Sequence, residues 1–83
     1  NYAPMRKEWA PLLDVLHRIK QHPHVKRMNL DINEEHAWQV GFILSQLLPI
    51  GEIGKYELLG LKDIEELMEK LEKMLGEMSG EKQ

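Results

Sequence analysis

Apolar side chains recur at steps of three and four residues along almost the whole chain. Trp9, Leu12, Leu13, Leu16 and Ile19 share one helix face at that spacing. Pro11 falls inside the pattern. Proline is tolerated in a first turn and disruptive deeper in, so this helix is expected to begin near Trp9 or Ala10. Pro23 disfavours helical geometry at His22, which predicts an end near Gln21 and a first helix over residues 9–21.

Residues 24–33 read as a connector. Val25, Met28, Leu30 and Ile32 are spread through it and predict an ordered loop pinned to the core. Asn33 is a good N-cap, and Glu34 and Glu35 suit the positive end of a helix dipole. A second helix is therefore expected over residues 34–48, stopped by Pro49. It is apolar on most sides, through Ala37, Trp38, Val40, Phe42, Ile43, Leu44, Leu47 and Leu48, as a central helix surrounded by others would be. Glu35, Gln39 and Gln46 draw one narrow polar line along it, with Phe42 set beside them. Gly41 costs about 1 kcal/mol relative to alanine in a helix interior, which predicts close approach of a neighbouring backbone.

A short third helix fits residues 52–59, with Gly60 placed to end it. Asp63 caps a fourth over residues 63–78, and Glu66 stands where a capping box would have it. Ile64, Leu67, Met68, Leu71, Met74, Leu75 and Met78 line its inner face. Glu66–Lys70 and Glu69–Lys73 are spaced to pair on the outer one. Ser79 to Gln83 should fray. No stretch alternates as a strand would, so residues 1–83 predict one all-α domain, a small bundle of about four helices.

Composition narrows the function classes. Eighty-three residues with 42% hydrophobic and 30% charged side chains suit a single globular core rather than a disordered tail. The chain has no cysteine, which excludes disulfides, thiolate metal sites and a cysteine nucleophile together. No apolar run is long enough to span a membrane, and the first residues lack the pattern of a signal peptide, so a cytoplasmic location is expected. The net charge of −3 hides an asymmetry. Residues 1–28 carry six cations against two carboxylates, and residues 29–83 five lysines against twelve carboxylates. The basic charges are scattered around a helix and interrupted by apolar residues. That is a solvated face rather than a phosphate-binding stripe, and no nucleic-acid partner is expected.

No constellation for catalysis emerges. Zinc needs three or four converging ligands. Of His17, His22, His24 and His36, only His22 and His24, flanking a proline, could share an ion, and no pair is spaced i, i+4 on a helix. Ser45 has neither a glycine-rich elbow nor an obvious base, and Ser79 lies in the tail. There is no glycine-rich phosphate loop closing on Gly-Lys-Ser or Gly-Lys-Thr. Met68, Met74 and Met78 sit at core spacing rather than on an adaptable binding surface. Neither a catalytic residue, nor a metal, nor a cofactor is assigned.

Several segments in order resemble a known family. Residues 10–16 (Ala-Pro-Leu-Leu-Asp-Val-Leu) are followed by His22-Pro23-His24-Val25. Residues 37–50 then read Ala-Trp-Gln-Val-Gly-Phe-Ile-Leu-Ser-Gln-Leu-Leu-Pro-Ile. Lys55, Leu58-Leu59 and Asp63 complete a pattern similar to the C-terminal helical part of LON domains, above all the stand-alone bacterial proteins labelled Lon-protease-like or peptidase S16. Ile43 and Ser45 stand where that pattern often has arginine and alanine, and residues 51–54 replace a turn richer in proline or leucine. The resemblance implies a helical half whose PUA-like β half is absent from this chain. It also implies a non-catalytic part in recognising polypeptide substrates, since the ATPase and Ser/Lys protease chemistry of full Lon proteases lies in other domains.

Trp38 and Phe42, one helical turn apart, with Gln39 and Gln46 along the adjoining polar line, form the candidate interaction surface. Its expected partners are a bound polypeptide or protein, the missing β half, or a second copy of the fragment; alternatively, the first or fourth helix simply covers both rings. Two other classes stand beside this reading. A helix-turn-helix regulatory domain needs a basic recognition helix, and no helix after residue 33 is basic. A metal- or carboxylate-dependent enzyme fragment needs a ligand set that the residues do not spell out.

Overall fold

The chain builds an all-α fold whose helices wrap around one of their number. The computed structural model describes residues 3–79. A 3-10 turn, Lys7–Trp9, leads into α1 (Ala10–Lys20), followed by α2 (Pro23–Met28), α3 (Ala37–Leu47), α4 (Gly51–Leu59) and α5 (Ile64–Ser79). No strand forms among the described residues, apart from an isolated bridge between Pro4 and His36. Nor, among them, is any helix long and apolar enough to cross a membrane. The Cα radius of gyration is 12.4 Å, close to the roughly 12 Å of a packed chain of this length.

Helix α1 follows the apolar period closely. Pro11 sits in its first turn, Leu12 and Leu16 are fully buried, and Gln21 is the C-cap. The expected loop after it is in part a helix. Pro23 forces His22 into an extended conformation (φ −65°, ψ 136°) and then supplies the first residue of α2. His22 Nδ1 accepts the backbone N–H of His24 at 3.2 Å, so His22 acts as a side-chain cap. Asn29 ends α2 in the left-handed region (φ 56°, ψ 48°), which asparagine tolerates better than most residues. The proline that ends one helix thus begins the next.

Helix α3 starts three residues later than the 34–48 expected from the caps. Asn33 does cap a turn, its Oδ1 accepting from Glu35 N at 3.0 Å. That turn does not propagate as helix, because the extended segment at residues 3–5 takes up the backbone groups. Met5 N donates to Glu35 O (3.1 Å) and Ala37 N donates to Ala3 O (2.7 Å). Glu34 instead ties this loop to α1, accepting from His17 Nε2 (2.9 Å) and Lys20 Nζ (3.1 Å). Pro49 ends α3 as expected, with Leu48 extended beyond it.

The central place of α3 is evident in its neighbours, since it packs against α1, α4 and α5. Val40 and Leu44 are fully buried beside Leu12, Leu16, Leu58, Leu67, Met68 and Leu71. At Gly41 the close neighbour is a side chain and not the backbone expected. A Cβ there would stand 2.7 Å from Leu67 Cδ2 and 3.8 Å from Met68 Sδ. Ser45 is buried and donates to Gly41 O at 2.8 Å, within its own helix.

Asp63 caps α5 as expected, its Oδ1 accepting from Glu65 N at 3.0 Å. Two details of that helix differ. Met78, expected in the core, is 43% exposed, and Lys70 reaches across to Glu57 of α4 at 3.6 Å rather than along α5 to Glu66. The expected fraying concerns mainly residues 80–83, which lie outside the described residues; Ser79 still belongs to α5.

Candidate interaction groove

Helix α3 is buried on three sides, and its remaining side carries Gln39, Phe42 and Gln46, all exposed. Trp38 flanks this strip, half-buried and packed on the core. Its ring lies 5.5 Å from that of Phe42, tilted by 41°, within the range of favourable aromatic pairs. Neither α1 nor α5, the fourth of the expected helices, covers both rings, for Phe42 remains 42% exposed.

A groove of about 610 Å³ opens here, lined by His36, Trp38, Gln39, Phe42, Leu61 and Lys62. Its walls come from two places far apart in sequence. One is the first turns of α3; the other is the short link between α4 and α5. Three of the four sequence candidates therefore meet, namely Trp38, Gln39 and Phe42. Gln46 lies outside the groove, and its carbonyl accepts from Lys55 Nζ at 3.3 Å. Gln39 is already engaged, its Oε1 accepting from Asn33 N at 3.0 Å. It braces the loop before α3. His36, Leu61 and Lys62 had no signal in the helical period, since Leu61 and Lys62 occupy a link and His36 a helix boundary.

The groove is apolar and aromatic at its centre with one ammonium, Lys62, at its lip. Among the described residues Lys62 forms no ion pair. Among the described residues, two ionisable groups outside the groove are perturbed. Hydrogen bonds from His17 and then Lys20 hold the Glu34 carboxyl below its ordinary value. Arg6 is raised above its ordinary value, chiefly by its hydrogen bond to Glu65 at 2.6 Å, and its guanidinium lies 4.9 Å from the Trp9 ring centre.

The histidines do not assemble a ligand set. His22 and His24 stack, with ring centres 5.3 Å apart and planes within 16°, and His22 Nδ1 is occupied as a cap acceptor. Among the described residues no three His, Asp or Glu side chains are grouped to hold a metal ion. The arrangement can bind an apolar side chain and orient one anion beside it. No family model, curated protein or solved structure matches the chain. The likeness to LON domains rests on the sequence pattern alone.

Proposed function

We propose that this chain is a non-catalytic polypeptide-binding module, the helical half of a LON-type domain, working in the cytoplasm. The observation that carries the reading is Phe42, an exposed aromatic ring paired with Trp38 over an open groove. Large apolar side chains left in water are strong candidates for an interface, and aromatic residues contribute heavily where polypeptides meet. The preferred occupant is a Phe or Leu side chain of an unfolded polypeptide, with a nearby carboxylate reaching Lys62. The LON resemblance supports the same use, since recognition of protein substrates is what it implies. The extended segment at residues 3–5 also supports it. That segment bonds alongside His36, so a β half joined upstream would stand at the rim of this groove.

The helix-turn-helix alternative gains one feature from the fold, a basic α2 carrying Lys26 and Arg27 after α1. Six residues span only about 9 Å, too short for a recognition helix reading several base pairs.

The test is a titration of the chain into a labelled, permanently unfolded polypeptide rich in Phe and Leu, followed by fluorescence anisotropy. Saturable binding is expected, weakened about tenfold or more by Phe42→Ser. Absence of binding, or equal binding by the variant, refutes the assignment.

A further inference from the structure

A second groove, of about 750 Å³, runs between α1 and the C-terminal part of α5. On α1 it is lined by Pro11, Val15 and Arg18, spaced four and three residues apart on one helix face. On α5 it is lined by Glu72, Leu75 and Gly76, again on one face. Each helix thus offers apolar surface and a single charge, a cation on α1 and an anion on α5. Both charges border the same groove, yet among the described residues neither Arg18 nor Glu72 has an ion-pair partner. Among the described residues nothing lies within 4 Å of where a Cβ on Gly76 would stand.

An occupant must bring an apolar face, an anion for Arg18 and a cation for Glu72. The chain itself carries all three, on this same surface. With a two-fold axis through the groove, Arg18 of one copy meets Glu72 of the other, and symmetry repeats the pair in reverse. We propose that the α1–α5 groove is a two-fold self-association surface closed by reciprocal Arg18–Glu72 pairs. This surface is separate from the Trp38–Phe42 groove, so the two sites stand or fall independently.

The full chain tests this by sedimentation equilibrium from micromolar to millimolar concentration. The parent should self-associate. Arg18→Glu places like charges opposite one another twice, as does Glu72→Arg, and each variant alone should associate about tenfold or more weakly. An equimolar mixture of the two restores opposite charges at both positions, and association should return as a mixed pair. Because each variant must be folded for the mixture to associate, that rescue also answers misfolding; circular dichroism of each variant checks it directly. A parent that stays monomeric, reversals without effect, or a mixture that fails to associate although both variants are folded, overturns the proposal. So does loss of association on Phe42→Ser, which would place the contact at the other groove.

Discussion

Leu44 and Gly41 show how much of the fold rests on single positions of α3. Leu44 is fully buried on α3, the helix that packs against α1, α4 and α5. Truncating it to alanine should cost about 2–5 kcal/mol, out of a total stability of roughly 4–12 kcal/mol for a domain of this size. Thermal melting checks this, and a Leu44→Ala variant that melts with the parent contradicts the central place of α3. Gly41 is the subtler case. Alanine there gains up to about 1 kcal/mol of helix propensity. It also drives a methyl against Leu67 Cδ2 at 2.7 Å, where overpacking costs about 1–3 kcal/mol. Since Leu67 is fully buried and has little room to retreat, Gly41→Ala should destabilise the parent. In a Leu67→Ala background the clash is gone and the same substitution should be stabilising. Chemical denaturation of the four variants reads that reversal of sign, and an unchanged sign rules out Leu67 as the reason for glycine.

At the scale of elements, the amphipathic period predicted α1 and α5 within a residue or two, because each buries one face and exposes the other. Helix α4 was bounded instead by Gly60, its C-cap, and of its apolar side chains Leu58 is buried while Ile53, Tyr56 and Leu59 stay exposed. The period failed where backbone bonding decides. Pro23 was legible as a stop for α1 but not as the first residue of α2, whose cap is a histidine rather than a serine or aspartate. The late start of α3 depends on hydrogen bonds to residues 3–5, distant in sequence and invisible to any local pattern. The candidate groove divides in the same way. Trp38, Gln39 and Phe42 follow from helical spacing, whereas Leu61 and Lys62 reach them only through the packing of the α4–α5 link. The loop before α3 also has a pH signature. Glu34 is held below its ordinary carboxyl value by His17 and Lys20. Its contribution to stability is therefore present above the ordinary glutamate range and is lost as pH falls through its lowered folded value. Melting temperatures at about pH 6 and about pH 3 should fall further for the parent than for Glu34→Gln. Equal falls contradict a linkage through Glu34.

Taken as a whole, the molecule spends its apolar residues unevenly. A core of leucines around α3 holds the helices together, while Phe42 stays in the solvent beside Trp38. Trp9, the other tryptophan, is only 2% exposed, so a quencher in solution reports on Trp38. The central claim is that a polypeptide closes over Trp38 and Phe42. Acrylamide quenching of tryptophan fluorescence, with and without saturating unfolded polypeptide, tests it most directly. Quenching should drop on binding in the parent, and the drop should disappear in Phe42→Ser; a bound polypeptide that leaves Trp38 as accessible as before would contradict the claim.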